Sequence, residues 1–135
     1  MYRAHTVSVG ITVEPKVVYA YVSDPGNLPV WAPGFVKSIE KRGADWVAQT
    51  SLGQVSFRFA PINDFGVVDH DVALPGGTVH NAMRVIPNGA GSEVLFTLIQ
   101  LPGVSDAQFQ QDMDVVRADL NKLRTVLEHT HEEAR

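Results

Sequence analysis

Six apolar residues near the end of the chain, Phe109, Met113, Val116, Leu120, Leu123 and Leu127, follow one another at intervals of four, three, four, three and four. That rhythm lays one continuous apolar stripe along a helix. Ser105 stands ahead of it, and Gln108 three residues later completes a capping-box pattern. The predicted helix is about 25 residues long, on the order of 37 Å at the usual rise per residue. A helix of that length with one apolar face needs a large partner, and the only candidate in this chain is the concave face of a sheet. The polar end, residues 129–135, is expected to fray.

The residues ahead of the stripe supply such a sheet. Residues 6–13 alternate, with Val7, Val9, Ile11 and Val13 on one face and Thr6, Ser8, Gly10 and Thr12 on the other. This is the period of a half-buried strand. Pro15 suits the first turn of a short helix running through residues 16–22, and Ser23-Asp24-Pro25-Gly26-Asn27 stops it. Residues 28–34 hold Pro29, Pro33 and Gly34 around Trp31, which reads as a short helical turn or ordered loop carrying a buried Trp. Six strands are then expected near residues 35–42, 45–52, 54–60, 64–74, 78–87 and 92–101, with Gly, Pro and Asn clusters between them. Loops this short favour sequential antiparallel hairpins over parallel crossovers. The layer logic is that of an α+β domain: an antiparallel sheet with its helices on one face.

A length of 135 residues suits one domain spanning the chain. The absence of cysteine excludes disulfides and thiolate metal sites. A net charge of -4 with scattered Lys and Arg argues against general nucleic-acid binding. No apolar run approaches the roughly 20 residues that span a bilayer, and residues 1–6 lack a charged-then-apolar leader pattern; the default expectation is the cytoplasm. There is no HExxH, no glycine-rich phosphate loop and no GxSxG. His129 and His131 sit in the polar tail, so neither a metal nor a cofactor is expected.

The element order, together with Ser23-Asp24-Pro25-Gly26-Asn27-Leu28-Pro29-Val30-Trp31 after the first helix, resembles the START-like (SRPBCC) superfamily. Within it, Asn63-Asp64-Phe65-Gly66-Val67-Val68-Asp69-His70 and Met83-Arg84-Val85-Ile86-Pro87-Asn88-Gly89 look like the polyketide cyclase/dehydrase-like branch. The resemblance covers nearly the whole chain and implies a helix-grip fold: a seven-stranded curved antiparallel sheet, in the order β-α-α-β6-α, wrapped around the long C-terminal helix with a ligand-sized cavity between them. In this fold the segment carrying Trp31 usually closes the cavity mouth, which makes Trp31 either a gate residue or plain core. Fold alone does not choose among the cyclases, lipid binders and co-chaperone domains that share it.

A register can be assigned to the central hairpin. If Pro75-Gly76 forms a two-residue turn, Val72 faces Val79, His70 faces Asn81, Val68 faces Met83 and Gly66 faces Val85, all on one mostly apolar face. Asp71 opposite His80, and Val67 opposite Arg84, lie on the other. His70 and Asn81 then become cross-strand neighbours about 5 Å apart at Cβ. His70 is the natural acid/base candidate at neutral pH; the plainer reading, which the residues favour, is half of a buried polar pair. Asp69 and Asp71 point away from it, toward solvent. Phe57 and Phe59 share a face with Val55, and Phe96 with Val94, Leu98 and Gln100. If those faces are concave, the cavity is lined by Trp31, Phe57, Phe59, Val68, His70, Asn81, Met83, Phe96 and Met113, which suits a hydrophobic or polycyclic ligand. Tyr19 and Gln100 are weaker candidates for a polar contact with it.

Three functions compete on these residues. The first is binding of an apolar small molecule, such as a lipid or polyketide. The second is a cyclase or dehydratase with His70 as acid/base. The third is a protein-interaction module acting through an outer face. Either a monomer or a homodimer is compatible with the sequence.

Overall fold

The computed structural model describes residues 1–133. Strand β1 (Ala4–Ile11) leads into α1 (Pro15–Val22), a single 3-10 turn (Pro25–Asn27) and the four-residue α2 (Leu28–Trp31). Six strands follow: β2 (Val36–Arg42), β3 (Asp45–Thr50), β4 (Gly53–Phe59), β5 (His70–Leu74), β6 (Gly77–Asn88) and β7 (Gly91–Ile99). Helix α3 (Asp106–Glu133) ends the described chain. All seven strands form one antiparallel sheet in the order β1-β7-β6-β5-β4-β3-β2, so the first strand pairs with the last. Among the described residues no helix is long and apolar enough to cross a membrane.

Turn chemistry explains the meander. The end pairs Arg42–Asp45, Thr50–Gly53, Leu74–Gly77 and Asn88–Gly91 each enclose two residues, the shortest hairpin connection. Gly43 and Gly89 take positive φ inside their turns, where an L side chain is disfavoured. The β4–β5 connection is the exception. Residues 64–69, expected to be strand, belong to a long loop, and β5 begins only at His70. The reason is local. Gly66 has φ +71°, and a Cβ there would stand 2.1 Å from the carbonyl oxygen of Val85. Asn63 organises the loop: its Oδ1 accepts from the N–H groups of Phe65 and Val67, and its Nδ2 donates to the carbonyls of Pro61 and Val67. The loop leaves Ile62 and Phe65 exposed.

Helix α3 buries the stripe that its spacing predicts. Phe109, Met113, Leu120, Leu123 and Leu127 are buried, and Val116 is half-buried against the core. Burying a side chain of this size contributes about 1.5–3 kcal/mol. Ser105 caps the helix, its Oγ accepting from the N–H of Gln108 at 3.1 Å. The capping box is half formed, because the Gln108 amide reaches forward to Asp112 instead of back. The expected fraying from residue 129 is not what the structure shows: the helix runs on to Glu133, while residues 134 and 135 lie outside the described ones. Near that end Glu128 accepts from both the N–H and the hydroxyl of Thr12, tying α3 to the chain leaving β1.

The concave face follows the alternation of the strands. Val7, Val9 and Ile11 on β1, Ala48 on β3, Val55 and Phe57 on β4, Val72 on β5, Met83 and Val85 on β6 and Val94 on β7 are buried in one core, which also takes in Leu28 and Trp31 of α2.

Candidate functional site

The hairpin register holds residue for residue. His70 pairs with Asn81, Asp71 with His80 and Val72 with Val79, and Leu74–Gly77 closes the turn. Beyond the strand proper, Val67 bridges Arg84, Val68 donates its N–H to Met83, and Val85 donates to Gly66. His70 and Asn81 therefore sit side by side on the concave face, as the turn arithmetic requires.

Three aromatic rings surround the imidazole of His70. Phe59, one strand over on β4, stacks on it with ring centres 4.8 Å apart and planes 25° apart. Phe57 and Phe96 lie tilted at 6.1 and 5.9 Å. Phe57 in turn stacks with Phe59 and meets the edge of Phe35. Strand pairing sets the neighbours in this cluster: Phe59 faces His70 across β4–β5, and Phe96 faces Met83 across β6–β7. His70 is only 6% exposed. Loss of hydration disfavours the imidazolium, so its pKa falls below the ordinary histidine value, the hydrogen bond to Val68 being a smaller opposing effect. The ring is neutral at physiological pH. Its Nδ1 lies 3.0 Å from the carbonyl oxygen of Val68, and its Nε2 lies 3.4 Å from Nδ2 of Asn81.

Of the residues expected to line a cavity, Phe57, Phe59, Phe96, His70 and Asn81 come together in this cluster, and Val68, in the loop before β5, and Met83 of β6 are buried and bonded to each other through the backbone. Trp31 and Met113 are buried on α2 and α3. The indole Nε1 of Trp31 is the one buried side-chain polar atom without a hydrogen-bond partner among the described residues. Tyr19 and Gln100 make bonds within the chain. The Tyr19 hydroxyl accepts from the N–H of Asn63, and Gln100 donates to the carbonyl of Val104 and to Asp106.

Two side chains have roles that strand alternation did not reveal. Asp69, expected in solvent, is 16% exposed at its side chain. Its Oδ1 accepts from the N–H of Met83 at 2.9 Å and from Nε of Arg84 at 3.1 Å, and its Oδ2 from a terminal nitrogen of Arg84 at 2.8 Å. The Arg84 guanidinium holds the carboxyl below its usual pKa. Asp119 of α3 is buried and accepts the N–H of Gly34 at 3.2 Å, fastening the loop after α2 to α3. Burial pushes its pKa up to about 6, against the lowering effects of that hydrogen bond and of Lys37. The only sequence signal for it is spacing: Asp119 falls four residues before Leu123, on the flank of the apolar stripe.

The outer face of the sheet is polar, as expected. Asp71 pairs with Nδ1 of His80 at 2.7 Å, and Asp45 with Arg58 at 2.9 Å. A shallow hollow of about 210 Å³ lies among Asp45, Ser56, Arg58, Asp71 and Thr78. Another, of about 380 Å³, lies where β1 ends beside the β6–β7 turn, among Ile11, Thr12, Asn88 and Ser92. Neither reaches His70. No group of His, Asp or Glu among the described residues is arranged to hold a metal ion.

Comparison with known proteins covers almost the full length. Residues 3–128 match the family model described as polyketide cyclase / dehydrase and lipid transport. No curated protein matches the sequence. Among solved structures, the Aha1 dimer from Colwellia psychrerythraea superposes with a TM-score of 0.75 at 16% identity, covering 93% of this chain and 96% of that one. The XoxI protein from Bacillus cereus superposes with a TM-score of 0.73 at 16% identity, covering 91% and 94%. A putative uncharacterized protein from Bacillus thuringiensis gives 0.75 at 17%, covering 92% and 98%. At these identities the likeness establishes a shared helix-grip fold.

Proposed function

We propose, because this chain belongs to the polyketide cyclase / dehydrase and lipid transport family, that it binds a hydrophobic small molecule between the sheet and α3. The observation that carries this reading is the neutral His70 set among Phe57, Phe59 and Phe96. Flat aromatic surfaces suit a polycyclic or long-chain apolar ligand, and a few convergent polar atoms orient it. Here Nε2 of His70 and the amide of Asn81 supply such atoms, and Trp31 on α2 carries an unpartnered Nε1. A buried N–H without an acceptor costs about 1–3 kcal/mol, which a ligand oxygen meeting Trp31 would recover.

Binding is favoured over turnover. An acid/base histidine must hold a proton at neutral pH for part of its cycle, and burial makes the charged ring unfavourable. Asp69 and Asp71 point to the other face, and their charges only partly offset that cost. Neither hollow is lined by His70; in this reading the short α2 carrying Trp31 yields to admit the ligand.

A thermal-stability screen with polycyclic and long-chain apolar compounds tests the reading. A ligand present at a hundred times its Kd stabilises by about 2.7 kcal/mol, a clear rise in unfolding temperature. Absence of stabilisation by every compound of both classes would overturn it.

A further inference from the structure

We propose that Asp69 is a positioning residue: by taking the N–H of Met83 it releases the carbonyl of Val68 to His70, fixing the imidazole as the Nδ1–H tautomer with Nε2 as its acceptor. The functional weight of this assignment rests on the ligand reading above; the tautomer itself does not.

The geometry is a substitution within the β-ladder. Directly opposed residues of a hydrogen-bonded antiparallel pair exchange two backbone bonds. Val68 and Met83 keep one of them, the N–H of Val68 donating to the carbonyl of Met83 at 2.9 Å. In place of the second, the N–H of Met83 donates to Oδ1 of Asp69 at 2.9 Å. The Val68 carbonyl, relieved of that partner, lies 3.0 Å from Nδ1 of His70. A carbonyl oxygen carries no proton, so this contact requires Nδ1–H as the donor. A neutral ring then keeps its lone pair on Nε2. The Asn81 amide nitrogen faces that lone pair at 3.4 Å, a long contact that a shorter hydrogen bond from a ligand can replace.

Asp69 never touches the imidazole. Successive strand residues face opposite ways, so its carboxylate lies on the outer side, held by Arg84 at 2.8 and 3.1 Å and with Nε2 of His80 at 3.6 Å. It acts through two peptide groups. The consequence for recognition is a preference of hydrogen-bond sense: the ligand group facing Nε2 of His70 is a donor, an alcohol or phenol rather than a ketone.

The test is a long-range proton–nitrogen correlation spectrum of the nitrogen-15-labelled chain, without ligand, at neutral pH. His70 is identified by its ring contacts to Phe59 and Phe96. The expected pattern is a protonated Nδ1 and an unprotonated Nε2. Asp69→Asn retains an acceptor oxygen for Met83 and keeps the pattern, as does Arg84→Gln. Asp69→Ala returns the Met83 N–H to Val68, and the His70 signals shift toward the Nε2–H form. A wild-type ring protonated at Nε2, or an Asp69→Ala spectrum unchanged at His70, overturns the proposal. Should Asp69→Ala fail to fold, the scalar coupling across the hydrogen bond between His70 Nδ1 and the Val68 carbonyl carbon decides in the wild type: its presence supports the proposal and its absence overturns it. With no ligand in the sample, failure here leaves the screen for binding untouched.

Discussion

The side chains of His70 and Asn81 face each other across β5 and β6, with the amide nitrogen of Asn81 3.4 Å from Nε2 of His70. The contact is too long to anchor a fold, and it stands on a surface otherwise made of valine, methionine and phenylalanine. Asn81→Leu is therefore expected to change stability by less than about 1 kcal/mol, since even a well-formed hydrogen bond contributes only about that much net. Urea unfolding measures this. A loss of several kcal/mol would make the pair a structural tie.

Phe57 and Phe59 both touch His70 but are buried differently. Phe57 is 3% exposed, and Phe57→Ala is expected to cost about 3–5 kcal/mol as a core truncation. Phe59 is only half-buried, so Phe59→Ala costs less, in the region of 2 kcal/mol, while removing the ring that stacks on His70. Denaturant unfolding of the two variants checks the order. Equal losses would mean that Phe59 is ordinary core.

Gly66 in the β4–β5 loop packs against the backbone of Val85. Gly66→Ala places a methyl 2.1 Å from the carbonyl of Val85 at a φ of +71°. The expected loss is about 2–4 kcal/mol, from the left-handed backbone penalty and the clash together. A thermal midpoint equal to wild type would contradict the loop geometry.

Asp119 predicts a pH dependence of definite sign. Its folded pKa, about 6, lies above the ordinary carboxyl value of 3.8. Between those values the folded state holds a proton that the unfolded state has released. Its contribution is therefore fully present below pH 3.8 and is lost as pH rises through about 6. Asp119→Asn keeps an acceptor for the N–H of Gly34 and carries no charge. It is expected to stabilise the protein at pH 7.5 by about 1 kcal/mol, a value discounted for residual solvent screening, and to lose that advantage near pH 4. Unfolding curves at the two pH values measure it; a gain that does not depend on pH would mean that Asp119 is not titrating in this range.

The sequence makes some of this legible and hides the rest for physical reasons. A two-residue turn at Pro75-Gly76 fixes every pair behind it, so the meeting of His70 and Asn81 follows from arithmetic. The stripe from Phe109 to Leu127 is visible because helical period is visible. Alternation places Asp69 on the outer side but hides its bond to the N–H of Met83, because a period-two reading assumes an unbroken ladder and the break between Gly66 and His70 depends on how closely Gly66 approaches Val85. Asp119 escaped notice because a carboxylate on the flank of an apolar stripe reads as surface until the loop at Gly34 covers it. How tightly the rings of Phe57, Phe59 and Phe96 close around His70 depends on the curvature of the sheet, which no pattern of residues states.

The most direct measurement is a nuclear magnetic resonance titration of the nitrogen-15-labelled chain with naphthol, a polycyclic probe carrying one hydroxyl. Binding at the proposed place predicts saturable shifts at Nε2 of His70 and at the rings of Phe57, Phe59 and Phe96, with the Trp31 indole N–H moving in step. Shifts confined to the outer face of the sheet, or none at His70 at saturating probe, would contradict a ligand site between the sheet and α3.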